Sequence, residues 1–180
     1  MLASIKLANW TKPPSLNALI GIFSGLAAVI LKTSVHAIQE FLTEGFYKEY
    51  ANFMYIIYPL IGISAAYLMG RFILKDIGGH GIPDVLFNIS KKASIIPRIK
   101  IFSRVITSAF TVGFGGSVGL VAPMVVTGSA IGSNVGLLVH LNPKKRTLLI
   151  GCGAAGAISA IFGAPIGAVI FAIEVILLEI

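Results

Sequence analysis

The sequence predicts an all-α integral membrane protein, a bundle of tilted and broken helices, and three observations carry that prediction. Of its 180 residues, 56% are hydrophobic and 12% charged, with a mean hydropathy of +0.92, whereas a soluble domain has roughly 25% charged residues. From residue 105 to residue 143 there is no Asp, Glu, Lys or Arg, a run that belongs in a bilayer. Glycines and a proline nevertheless interrupt that run, and broken helices at membrane depth line solute paths. No two-residue alternation marks a strand.

In chain order, residues 1–14 form a polar entry carrying Trp10 and ending in Pro13 and Pro14, expected to be cytoplasmic, and Ser15 is placed to cap the first helix. No small-residue cleavage site succeeds a compact apolar core, so the first membrane helix is expected to direct insertion itself. Residues 16–41 read as the first span, with Gly21 and Gly25 forming a small-xxx-small packing face. Lys32, late in that span, is read as snorkelling toward a headgroup. Residues 43–50 (TEGFYKEY) are a loop, and residues 53–72 a second span closed by Arg71 and Lys75. Further crossings are expected at 101–118, 123–141, 147–162 and, after the break at FGAP, 165–178. Lys91, Lys92, Arg98, Lys100 and Arg104 form one basic cluster and Lys144, Lys145 and Arg146 a second, so both loops are expected on the cytoplasmic side with the N-terminus. The net charge of +7 is read as this loop bias. Nucleic acid is not an expected partner, because aromatic residues do not interleave with the basic ones. One cysteine, Cys152 in GCGAAGA, excludes a disulfide framework and suits packing.

Glycine and proline mark the candidate site. Gly128, Gly132 and Gly136 recur every fourth residue and predict a packing face, whereas Gly115, Gly116 and Gly119 lie in a non-helical stretch that suits ligand contact. Pro123 fits a first helical turn, which places unpaired N–H groups near Val121 and Ala122 and makes an end that attracts anions. A second helix start of the same construction lies at residues 78–83 (GGHGIP), with Asp84 in its first turn. Alone, His80 is open to three readings: a titrating group, an anion-facing donor, or a loop histidine bonded to backbone. No nucleophile and base pair, metal-ligand cluster or nucleotide-binding turn is present, so neither an enzyme nor a metal or cofactor is expected.

Three motifs carry a family resemblance. GGHGIPDV resembles the GSGIPE helix start of the CLC chloride channels and proton-coupled chloride exchangers. GGSVGLVAP resembles their GREGP element, and RTLLIGCGAAGAISAIFGAPIGAVIFAIEV resembles their long paired-helix segment ending in a glutamate-containing motif. The resemblance runs in order from about residue 16 to the C-terminus. It implies that residues 15–180 are the first, incomplete part of an inverted-repeat transmembrane domain. The missing second half would supply a GxFxP helix start and a pore tyrosine. It implies chloride or a similar anion as the transported ion, a homodimer with one pore per subunit, and a multi-pass place in the inner or plasma membrane. The anion site it implies comprises Gly79, His80, Gly81, Ile82 and Pro83 together with Gly119, Leu120, Val121, Ala122 and Pro123.

The departures from the family pattern shape the expected mechanism. His80 stands where the family has an anion-binding serine, and Val121 where it has the gating glutamate. Val175 stands at the position of the internal proton acceptor if Glu174 matches the first of the family's paired acids. Without either acid, passive, channel-like conduction uncoupled from protons is expected. The alternatives are an exchanger whose relay uses His80 and Glu174, and a non-conducting truncated subunit that assembles with a partner.

Overall fold

The computed structural model describes residues 14–44, 51–73, 81–117 and 119–177, and every element among them is helical. In order these are α1 (Pro14–Glu44), α2 (Ala51–Leu68) continued by a π-helical turn (Met69–Ile73), α3 (Ile82–Lys91), α4 (Ile99–Gly113), α5 (Val121–Leu138), α6 (Pro143–Phe162), and α7 (Pro165–Phe171) continued by a second π-helical turn (Ala172–Leu177). The N-terminal segment before Pro14, and Gly79 with His80, lie outside the described residues.

Three described helices are long and apolar enough to cross a membrane: Ser15–Phe41, Val121–Leu138 and Pro143–Phe162. Two of the expected crossings are helices shorter than expected. The 101–118 segment is a helix of 15 residues, about 22 Å long against a hydrocarbon core of about 30 Å. It stops because its last carbonyls are claimed by amides folding back on them: Gly115 N–H donates to Val112 O at 3.0 Å and Gly116 N–H to Thr111 O at 2.9 Å. Gly115, at φ +87°, supplies the left-handed residue that this closure needs. The 165–178 segment is likewise a shorter apolar helix, Pro165–Leu177. The expected break at FGAP is present, with Gly163 at φ +64° closing α6.

α5 is the buried axis. Residues 123–130 are all buried, Thr127 and Ser129 among them, so this stretch leaves no face for solvent. Val125, Val126 and Ala130 pack with Val85 and Ile89 of α3, Ile150 and Ala154 of α6, and Ala168 of α7. Met124 packs on another side with Ala28, Leu31 and Val35 of α1 and Ala109 of α4. The glycine series does what its spacing predicts. A Cβ on Gly128 would run into the Gly153 carbonyl of α6, and one on Gly132 into the Leu149 carbonyl, so the two backbones touch. A Cβ on Gly25 would stand 3.8 Å from Ala160 Cβ of α6, and one on Gly156 would stand 3.0 Å from Gly21.

The α3–α4 connection is stapled to the start of α6 by buried polar groups. Ser94 Oγ and Thr147 Oγ1 share a hydrogen bond of 2.7 Å. Ser133 Oγ donates to Ser94 O at 2.7 Å and accepts from Ile96 N–H at 3.0 Å, while Asn134 Nδ2 donates to Ile96 O at 3.1 Å. Arg146 donates to Ala93 O at 3.1 Å and to Leu141 O at 2.9 Å. These bonds hold Ala93 and Ser94 at positive φ, 48° and 62°. They also bring the two basic stretches to one end of the bundle. Arg146 and Lys100, read from the sequence as loop charges, are instead buried.

Candidate functional site

Two helix starts meet at the site. Gly81 caps α3 at φ 67°, ψ −124°, a conformation that a side chain would strain, and Pro83 follows within the first turn. The first backbone bond there runs from Asp84 N–H to Gly81 O at 3.2 Å. α5 begins at Val121, two residues earlier than Pro123 suggested. Its first closing bond is Met124 N–H to Leu120 O at 3.3 Å. Pro123 has no N–H to leave unpaired, so it is as compatible with the third helical position as with the first. The N–H groups of Leu120, Val121 and Ala122 therefore precede the helical ladder and form the positive end of α5.

The two starts are in contact, since a Cβ on Gly81 would stand 3.2 Å from Ala122 Cβ. Ile82 and Val121 pack against the same apolar cluster, and Val175, from the far end of the chain, packs against it too. Gly119 is exposed, with open space where a side chain would project. Leu120, Val121 and Ala122 are half-buried, Pro123 is buried and Pro83 exposed. Of the sequence-predicted anion residues, Gly81, Ile82, Pro83, Gly119, Leu120, Val121, Ala122 and Pro123 thus stand around one junction of helix ends. Glu174 is exposed on the π-helical turn, beside half-buried Val175.

Sequence reasoning missed a partly buried ion pair one turn from this junction. Lys100 Nζ contacts Asp84 Oδ2, and the side chains are 11% and 20% exposed respectively. Asn88 donates to the Asp84 carbonyl at 2.6 Å and to Oδ1 at 3.3 Å. The signal was present in part: an acid in a first turn of a helix and, sixteen residues on, a lysine. Counting Lys100 among loop charges hid it, because α4 starts at Ile99, before the lysine.

Comparison with known proteins agrees with this architecture. A family profile described as voltage gated chloride channel matches residues 61–180. An H(+)/Cl(-) exchange transporter ClcA from Klebsiella pneumoniae is 30% identical over 164 residues, covering 87% of this chain and 34% of that protein. Chloride channel protein CLC-c from Arabidopsis thaliana is 32% identical over 180 residues, covering 87% of this chain and 23% of that protein. The chain therefore spans about a third or less of the length of these relatives. A crystal structure of a CLC-type fluoride/proton antiporter superposes with a TM-score of 0.71 at 26% identity, over 89% of this chain and 38% of that one. With a membrane bundle of broken helices, two helix starts in contact, and these matches along its length, the chain belongs to the voltage gated chloride channel (CLC) family.

Proposed function

We propose that this integral membrane chain contributes an anion-binding junction to a transmembrane chloride pathway, and that conduction through it is passive. The observation carrying the reading is the contact of the α3 and α5 starts at Gly81 and Ala122. It sets the N–H groups of Leu120, Val121 and Ala122, at the start of α5, beside a second positive helix end, each end equivalent to about half a charge. Partial charges of this kind hold an anion while still letting it leave. His80, directly before Gly81 in the sequence, would add a side-chain donor at the same mouth. Dimerisation and a second half completing the path belong to the same proposal.

Passive conduction is favoured by the apolar character of both positions that would carry protons. Val121 and Val175 are aliphatic, and both pack against the main apolar cluster. A valine can neither compete with chloride as a tethered anion nor relay a proton. The printed names of relatives favour a second reading, because one is a proton and chloride exchanger and another a fluoride/proton antiporter. In that reading His80 and Glu174 replace the missing acids. The deciding measurement is chloride efflux from vesicles holding the protein in its native assembly, with internal pH followed at the same time. Chloride efflux with no coupled proton movement is expected; uphill proton movement driven by a chloride gradient would favour exchange, and no selective anion flux would remove both readings.

A further inference from the structure

A cluster of cations stands well away from the junction of helix starts. Ser133, which bonds the α3–α4 connection, lies about 18 Å along α5 from Val121. There the polar staple gathers exposed Lys91, Lys92 and Arg98 from one stretch and exposed Lys144 and Lys145 from another. Membrane orientation asks only that such residues occur in short connections. It does not ask that two connections be bonded together, nor that Lys144, Lys145 and Arg146 stand at the start of α6, where the positive helix end disfavours them. No acid in that first turn relieves the repulsion, and the sequence has no Asp or Glu from residue 85 to residue 173. Buried Arg146 adds its charge from beneath while donating to two backbone carbonyls, those of Ala93 and Leu141.

An anion from outside the chain would neutralise this end, and the flanks of the cluster indicate its kind. Lys92 Nζ stands 5.7 Å from the centroid of the Phe87 ring, a cation–π contact. That ring is itself 53% exposed. Exposed Ile95, Ile99 and Phe102 border Arg98 along the chain, and Ile99 and Phe102 lie one turn apart on α4. A small inorganic anion gains nothing from an apolar flank. A phospholipid carries a phosphate and acyl chains, and so matches both parts of the surface.

We propose that the α3–α4 connection and the start of α6 together form a binding site for an anionic phospholipid, its phosphate meeting Lys92, Lys144 and Lys145 and its acyl chains lying against Phe87, Ile99 and Phe102. Clusters of roughly four to eight Lys and Arg beside a membrane helix select anionic headgroups. The bound lipid bridges the two connections from outside as Ser94 and Thr147 bridge them from within. Occupancy therefore stabilises the fold, and it does so without touching the anion junction.

The test is a thermal unfolding titration of the purified protein in its native assembly, in neutral detergent, with phosphatidylglycerol or with phosphatidylcholine of the same acyl chains. Phosphatidylglycerol is expected to raise the unfolding midpoint saturably and phosphatidylcholine to leave it unchanged; equal effects of the two lipids overturn the proposal. Each cation beside an anionic surface is worth roughly a fivefold change in binding. Lys92→Gln/Lys144→Gln/Lys145→Gln is therefore expected to raise the half-saturating phosphatidylglycerol concentration more than about tenfold, and Lys145→Gln alone, usable if the triple variant does not fold, roughly fivefold. An unchanged titration in either variant overturns the proposal. The charge-preserving variant Lys92→Arg/Lys144→Arg/Lys145→Arg must keep the wild-type titration. Lys32→Gln must keep it too, because Lys32 lies beyond Gly25 on α1, and Gly25 already stands against Ala160 at the far end of α6; an equal loss in Lys32→Gln would reduce the effect to overall charge. Inorganic phosphate in place of lipid is expected to leave the midpoint unchanged, and a rise matching that from phosphatidylglycerol would assign the cluster to a free anion and overturn the lipid site. None of these readings depends on ion flux, so they stand apart from the proposed anion path.

Discussion

Val121 is the residue whose chemistry most limits the mechanism. It opens α5, is half-buried, and packs against the apolar cluster that holds Val85 and Ile89. Replacing it with glutamate puts a tethered carboxylate at a helix end suited to an anion. A tether of a few bonds gives an effective concentration in about the millimolar range or above. Chloride flux in Val121→Glu is therefore expected to fall at neutral pH. The carboxylate loses its charge on acidification through about pH 4.3, or lower where the helix end favours the ionised form. Flux should recover across that window, because the protonated side chain no longer competes. Proton-coupled exchange should not appear, since Val175 is unchanged. The check is efflux against pH with Val121→Leu as control; full flux in Val121→Glu at neutral pH would place residue 121 away from the path.

Among the elements, the α5–α6 pair makes the most extensive helix contact in the fold, and its closeness depends on glycine. A Cβ at Gly128 meets the Gly153 backbone and lies 3.0 Å from Ala157 Cβ. Backbone cannot swing aside as a flexible side chain can, so Gly128→Ala must separate the helices. A loss of roughly 1–3 kcal/mol is expected from overpacking, seen as a lower unfolding midpoint in detergent. Gly21→Ala is the matched control, as nothing stands within 4 Å of its added Cβ, and no loss is expected there. Helix order and the glycine face were legible in the sequence because both rest on local periodicity. Helix ends were less so. The stop of α4 depends on amides of Gly115 and Gly116 reaching back to Val112 and Thr111, and the α5 start depends on a proline that suits three positions equally well. The polar staple was not legible, since Ser94, Ser133 and Thr147 come from three distant stretches and no spacing announces their meeting. The candidate anion residues were legible from their motifs, but their convergence on Gly81 and Ala122 required the fold.

At the scale of the whole molecule, the staple determines where the surface charge goes. Ser94 is bonded to Thr147, and Arg146 to Ala93, so exposed Lys91, Lys92 and Arg98 share one end of the bundle with exposed Lys144 and Lys145. No Asp or Glu occurs between Asp84 and Glu174 to balance them. Clustered Lys and Arg in short connections are retained on the cytoplasmic side, and two clusters locked together cannot face opposite sides. Orientation is therefore expected to be uniform, with both clusters cytoplasmic. The one native cysteine, half-buried Cys152 in α6, is replaced by serine to give a silent background. Lys92→Cys and Lys145→Cys are then introduced one at a time in whole cells and labelled with a membrane-impermeant maleimide. Both sites should stay unlabelled in intact cells and react together once the membrane is permeabilised. Labelling of both from outside would invert the orientation while leaving the staple intact. Labelling of one from outside and the other only after permeabilisation would break the link between the α3–α4 connection and the start of α6, and with it the packing that positions the α3 start against α5.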